Sequence, residues 1–187
     1  MTPLQLDATV PAGPTATGAR RQWGWLTAVL VASAVMAAAC SSSSSTATIP
    51  PPNPATAQAD IAVPYGTLFN LANKDVPSKL ATIQNGSTLQ AATTDALNSS
   101  LSTSATGATV QSATILTASQ CQAAKVPSPC AKVTYSILGP NGQVLLPNST
   151  GYAAYVNGHW LVAHVTICGL FELLYQTENK TGTPQGC

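Results

Sequence analysis

The alternation of apolar and polar residues across Cys130–Leu138 constrains the fold of this chain more than any other feature. In this segment the polar residues Lys132, Thr134 and Ser136 alternate with the apolar residues Val133, Tyr135 and Ile137. A period of two is typical of a β-strand with one buried face. The residues that follow, 139–142, contain the Asn-Gly pair favoured in tight hairpin turns, so we expect an antiparallel partner strand.

Further strand-like segments lie on either side of this one. We predict strands over residues 109–118, 144–146 with 150–156, and 159–167. Pro147 interrupts the third strand and indicates a bulge or a sheet edge. Asn157-Gly158 is a second hairpin turn. Together these segments predict a four-stranded antiparallel meander.

Helical spacing precedes the strands. Tyr65, Leu68, Phe69 and Ala72 recur at helical intervals, with Pro64 at the expected first helical position. A second helix is predicted over residues 88–101 with Ser87 as its N-cap, and a short closing helix over residues 169–176. Helices followed by a meander define the α+β class, with the helices packed on a curved four-stranded sheet.

A short apolar run over residues 23–39 follows Arg20-Arg21 and ends directly before Cys40. It has the length of a signal-peptide core and is shorter than the roughly 20 residues that span a bilayer. Ala37–Ala39 supply the small residues that a lipoprotein signal peptidase requires, although its usual site has Leu where Ala37 stands. We expect an exported, membrane-bound lipoprotein with an acyl-bearing Cys40. An uncleaved signal-anchor is the alternative, and it would also leave the remainder outside the membrane.

Composition divides the chain into three parts. Residues 1–39 are the N-terminal extension and signal peptide, and residues 40–58 are a Ser/Thr/Pro-rich tether without an apolar face to bury. Residues 59–187 are long enough for a single α+β domain.

The charge balance argues against nucleic acid as a partner. The chain has seven basic and six acidic residues, and Arg20, Arg21 and Asp7 all precede Cys40. The part after Cys40 is therefore neutral and lacks arginine, whereas a nucleic-acid binder needs a basic surface.

Four cysteines besides Cys40 predict two disulfides in an exported protein, and three pairings are possible. Cys121 and Cys130 flank a proline-containing turn, so we pair them and pair Cys168 with Cys187. The spacings do not match paired Cys-x-x-Cys metal ligands, and we expect neither a metal nor a cofactor.

Several short segments carry a resemblance to a family. They are Leu71-Ala72-Asn73-Lys74, Leu138-Gly139-Pro140, the stretch 155–160 (YVNGHW) and Phe171-Glu172-Leu173-Leu174. Over about residues 54–174 the chain resembles the mycobacterial low-molecular-weight secreted antigen family. The resemblance implies a cystatin-like cone, as in nuclear-transport-factor-2-like (NTF2-like) domains, without an established enzymatic activity. This chain departs from the family by its predicted lipid anchor and its cysteines.

A cone of this kind can enclose an apolar pocket, and isomerase or hydratase chemistry there needs a base and a group that stabilises an oxyanion. The candidate pocket residues are Asp95, Tyr135, Trp160 and His164, with Tyr152 as a further candidate. Each has a simpler interpretation as a solvated or packed side chain, so we assign no catalytic residue.

We therefore predict a non-enzymatic envelope protein that binds a protein partner or a small apolar ligand. The alternatives are a cone-pocket enzyme and a structural subunit of an envelope complex.

Overall fold

A computed structural model describes residues 49–187 of the 187-residue chain. The helices and strands in these residues are α1 (Ala57–Phe69), α2 (Val76–Leu80), α3 (Gln90–Asn98), β1 (Gly107–Ile115), α4 (Ala118–Ala123), β2 (Cys130–Leu138), β3 (Val144–Val156), β4 (His159–Val162) and α5 (His164–Thr177). Short 3₁₀ turns span Gly86–Leu89, Ser100–Thr103 and Pro140–Gly142. The predicted signal peptide and Cys40 lie outside the described residues. The α+β class is confirmed.

The four strands form one curled antiparallel sheet in the order β1-β2-β3-β4, which confirms the predicted meander. Asn157 and Gly158 have φ of 52° and 85°, the backbone that a tight β3–β4 hairpin requires. Pro147 lies within β3, where the register shifts so that Ser149 faces Tyr135 and Leu146 faces Ile137. This irregularity is the predicted bulge, because proline cannot donate to the ladder.

The main core lies between α1 and the sheet. Tyr65 and Phe69 of α1 pack on Tyr135 of β2, with ring centroids 4.9 Å and 5.5 Å from that of Tyr135. Gly151 of β3 leaves the space for this cluster, since a Cβ there would lie 3.1 Å from the Tyr65 hydroxyl oxygen. Aromatic side chains therefore fill the region between α1 and the sheet.

The first helix differs from the prediction. It begins at Ala57, so Pro64 is inside it and buried, and it ends at Phe69, which leaves Ala72 exposed outside it. Ala57 and Ile61 are buried and continue the helical spacing towards the N-terminus. Their burial stabilises the helix before Pro64, although proline usually breaks a helix interior. The domain thus includes two residues that were assigned to the tether.

The second predicted helix is shorter than expected. It forms as α3, and Ser87 lies in the preceding 3₁₀ turn instead of capping the helix. The first predicted strand was wrong at its end: Thr117 begins α4 through a reciprocal capping box with Gln120.

The predicted strand 159–167 was wrong beyond residue 162. Helix α5 begins at His164 and buries Ile167, Phe171 and Leu174, which are spaced by four and three residues. Val165, expected on the buried face of a strand, is 37% exposed. The apolar residues of this segment fit the period of a strand and also that of a helix, and packing against the rest of the domain selects the helix.

Both predicted cysteine pairs are confirmed. The Sγ atoms of Cys121 and Cys130 are 2.03 Å apart, and those of Cys168 and Cys187 are 2.11 Å apart. The first disulfide joins α4 to the start of β2. The second joins residue 187 to α5, so Cys168 lies in a helix and does not end a strand as expected.

Candidate functional site

An apolar cavity of about 430 Å³ lies where the ends of α1 and β2 meet α3 and α5. Its apolar walls include Leu68, Leu97, Ile137, Leu146, Ile167 and Phe171. These residues come from five separate elements, and no single element encloses the space. Its volume is within the range of about 300–1,000 Å³ that small-molecule sites occupy.

Two leucines mark the place where the cavity meets solvent. Leu145 of β3 and Leu173 of α5 both line the cavity, and they are 39% and 49% exposed. Glu178, which follows α5, also lines it and forms an ion pair of 2.9 Å with Lys180. The opening therefore combines apolar side chains with one carboxylate.

Thr93 of α3 is a polar residue in the cavity wall. It is 3% exposed, and among the side chains that the structure describes its Oγ1 is the one buried oxygen or nitrogen that has no hydrogen-bond partner. The next residue, Thr94, is exposed, and its hydroxyl donates to the carbonyl of Gln90 at 2.8 Å. Thr93 makes no corresponding bond. An unpaired buried hydroxyl destabilises a protein by about 1–3 kcal/mol.

Lys79 of α2 also lines the cavity, but its ammonium group is fully engaged. Its Nζ donates to the carbonyl oxygens of Thr67 at 3.1 Å, Leu68 at 3.1 Å and Asn70 at 2.7 Å. These carbonyls lie at the C-terminal end of α1, where the helix dipole favours a cation. Burial lowers the pKa of Lys79, Lys74 lowers it further, and Asp75 opposes both effects. Lys79 therefore caps a helix, and its ammonium group has no free N–H donor for a ligand.

Ser99 is a further polar residue of the wall. Its hydroxyl donates to the carbonyl of Ala96 at 2.7 Å. Among the described cavity-lining side chains that are buried and polar, Thr93 is thus the one whose hydrogen-bonding capacity is wholly unused.

The structure does not bring the predicted pocket residues Asp95, Tyr135, Trp160 and His164 together. Tyr135 is 1% exposed within the aromatic core, and burial raises its pKa to about 12. Trp160 is buried, with its ring centroid 5.1 Å from that of Tyr155. Asp95 is exposed on α3 and accepts a hydrogen bond of 3.3 Å from the hydroxyl of Tyr175.

His164 is the first residue of α5 and lies against the C-terminal segment. Its Nε2 is 3.0 Å from the carbonyl oxygen of Gly186, and its Nδ1 is 3.6 Å from the Sγ of Cys168. It lines a second, more polar cleft with Gln84 and Lys125. None of the four predicted residues is among the described residues that line the apolar cavity. Tyr152 is half-buried in β3, and its carbonyl accepts from the Tyr65 hydroxyl.

Sequence reasoning missed the cavity and Thr93. Leu97 was correctly placed on the apolar side of the second helix, but Thr93 lies in the polar run Thr93-Thr94-Asp95 and resembles a surface residue. The cavity wall that includes Thr93 also includes Leu68 of α1 and Phe171 of α5, so no local signal in the sequence marks it.

No family model, no curated protein and no solved structure matches this chain. Within residues 49–187, no helix combines the length and the hydropathy needed to cross a bilayer. The same residues contain no group of three or more His, Cys, Asp or Glu side chains arranged to hold a metal ion.

Proposed function

We propose that this protein is a non-enzymatic, lipid-anchored envelope protein that binds a small apolar ligand in the cavity between α1, α3, α5 and the sheet. The observation that carries the proposal is an open cavity of about 430 Å³ with apolar walls and exposed leucines at its mouth. An apolar ligand in this space would remove the apolar walls from water, which is favourable.

The volume sets the size of the ligand. A space of about 430 Å³ has room for on the order of ten methylene groups, if each takes about the ~30 Å³ of a water molecule. Burying ten methylenes contributes about 8 kcal/mol. The freedom lost on binding offsets at least ~4 kcal/mol of this. The net gain is then at most about 4 kcal/mol, so we expect dissociation constants of about 1 mM or weaker for a ten-methylene ligand.

We also propose that the domain is cystatin-like or NTF2-like, because a long helix packs on a curled four-stranded sheet. The place of the ligand differs from the one expected for such a cone. The aromatic residues Tyr65, Phe69 and Tyr135 fill the space under α1, and the cavity lies beyond the end of β2.

The alternative of a cone-pocket enzyme has less support than ligand binding. A general base must lie within hydrogen-bonding reach of the proton that it removes. Asp95 and His164, the candidate bases, both lie outside the residues that line the cavity. The cavity-lining Glu178 is paired with Lys180 at the opening.

A matched pair of variants on α3 tests the proposal. Ala96 lines the cavity, and Ala91 is exposed on the same helix. In Ala96→Phe the ring removes room for several methylenes at about 0.8 kcal/mol each, so an apolar fluorescent dye should bind at least ten times more weakly. Ala91→Phe should leave dye binding unchanged. Dye affinity is measured by fluorescence titration of the purified protein with both disulfides formed.

Two results would contradict ligand binding in this cavity. One is a wild-type protein that does not bind the dye up to millimolar concentration. The other is equal dye affinity in the two variants, since binding elsewhere would not distinguish Ala96 from Ala91.

A further inference from the structure

We propose that the disulfide Cys168–Cys187 is a thiol-exchange site, at which a low-molecular-weight thiol forms a mixed disulfide with Cys187 and releases the Cys168 thiolate beside His164. The proposal is independent of the apolar cavity. Two observations carry it: the two disulfides of the domain differ in their exposure, and an imidazole ring lies next to one sulfur of the more exposed disulfide.

The two disulfides lie in different surroundings. Cys121 and Cys130 are both 0% exposed and belong to a small buried apolar cluster. Cys187 is exposed, and it lines the polar cleft together with Cys168, which is 9% exposed. Exchange requires a thiolate to reach a disulfide sulfur. Access therefore favours Cys168–Cys187 over Cys121–Cys130, and favours attack at Cys187.

The polar cleft suits a small, polar thiol. Its volume is about 750 Å³, and its walls include the amide side chains of Gln84 and Asn85 and the hydroxyl side chain of Ser87. Lys125 and Glu172, which have opposite charges, also line it. A low-molecular-weight thiol with polar groups therefore finds hydrogen-bonding partners next to the disulfide.

The position of His164 favours departure of the Cys168 sulfur. Its Nε2 is 3.0 Å from the carbonyl oxygen of Gly186, and because a carbonyl can only accept, Nε2 carries a hydrogen. The Nδ1 of the neutral ring then has a free lone pair, 3.6 Å from Cys168 Sγ. When Nδ1 binds a proton, the imidazolium can donate to the thiolate at this sulfur. A neighbouring imidazolium stabilises a thiolate, and a stabilised thiolate leaves faster.

The exchange step balances in atoms and electrons. The incoming thiol gives its proton to solvent, and its sulfur forms a bond to Cys187 Sγ. The bond between the two Sγ atoms breaks, and its electron pair goes to Cys168 Sγ. The incoming sulfur is oxidised as the Cys168 sulfur is reduced. Attack of the Cys168 thiolate on Cys187 Sγ reverses the step and expels the small thiol.

Contacts of the C-terminal segment keep the two sulfurs close after exchange. Pro184 is fully buried, and a Cβ on Gly186 would overlap the carbonyl oxygen of Thr88, so the segment packs closely on the turn before α3. The contact between His164 and Gly186 adds to this packing. None of these contacts needs the disulfide bond. We therefore expect a reversible exchange in a domain that stays folded.

The test treats the purified protein, with both disulfides formed and free thiols blocked, with 2-mercaptoethanol. Iodoacetamide traps the new thiols at intervals, and peptide mass spectrometry measures the state of each cysteine. The control is Cys121–Cys130 in the same molecule. We expect Cys168–Cys187 to exchange at least about ten times faster, because Cys121–Cys130 can react only after local unfolding. Early in the reaction, mercaptoethanol should be on Cys187 and the iodoacetamide label on Cys168.

The variant His164→Asn distinguishes a chemical role of the imidazole from a structural one. Loss of a stabilised leaving thiolate should slow exchange at Cys168–Cys187 by about threefold. Loosening of the C-terminal segment alone would instead make the exchange faster. His159 is exposed on β4, so His159→Asn is the matched control and should exchange at the rate of the wild type.

Three results would contradict this proposal. Equal exchange rates at the two disulfides would overturn it, and so would early attachment of mercaptoethanol to Cys168 instead of Cys187. Exchange in His164→Asn that is as fast as in the wild type, or faster, would overturn the role of His164. The apolar-ligand proposal is tested separately by dye binding, so neither result decides the other.

Discussion

Replacing Thr93 by valine is expected to stabilise the protein when its cavity is empty. The variant removes a hydroxyl that is buried without a partner and puts a methyl group in its place. Replacing an unsatisfied buried polar group by an apolar group of the same shape recovers part of a desolvation penalty of about 1–3 kcal/mol. We expect a gain of about 1–2 kcal/mol in the free energy of unfolding.

The corresponding change in melting temperature follows from the size of the domain. Unfolding entropy is about 2.1 cal/mol/K per residue, which gives roughly 0.3 kcal/mol/K for a domain of about 140 residues. The expected gain therefore raises the melting temperature by roughly 3–7 °C.

The assay is thermal unfolding followed by circular dichroism, with the disulfides intact and bound lipid removed beforehand. Thr94→Val is the matched control: its hydroxyl is exposed and bonded to Gln90, so the variant should change stability by less than about 0.5 kcal/mol. A melting temperature of Thr93→Val equal to or below that of the wild type would refute the reasoning, because the hydroxyl would then have a partner in solution.

Two further predictions concern the aromatic core and the proposed membrane anchor. Burial raises the pKa of Tyr135 to about 12 from the 10.0 of an exposed tyrosine, so the folded state keeps a proton that the unfolded state loses between these values. Tyr135 alone should therefore lower stability by about 2 kcal/mol between pH 10 and 12, as measured by denaturant unfolding. Tyr135→Phe should reduce this slope without abolishing it, since burial and the neighbouring Tyr135 also raise the pKa of Tyr65, and an unaltered slope would contradict the assignment. For the anchor, Cys40→Ala should leave an unprocessed precursor or release the chain from membranes, as seen by fractionation and fatty-acid labelling; continued labelling of the variant would exclude Cys40 as the acylated residue.

The sequence by itself determined the features that depend on neighbouring residues. The alternation in Cys130–Leu138 and the Asn157-Gly158 turn specify β2 and one hairpin, because strand period and turn backbone are local properties. The four cysteines were paired correctly for the same reason, since each pair is separated by 9 or 19 residues. The leader and the lipidation of Cys40 also rest on local residue types, and they stay predictions.

Tertiary structure decided the features that depend on distant residues. The segment after Val162 fits both a strand and a helix, and its packing made it α5. Pro64 lies inside α1 because the buried residues Ala57 and Ile61 extend the helix before it. The cavity, and the burial of Thr93 within its wall, arise only where α1, α3, α5 and the sheet meet. Burial depends on every neighbour in space, and for this reason a polar run such as Thr93-Thr94-Asp95 gives no sign of which hydroxyl is shielded from water.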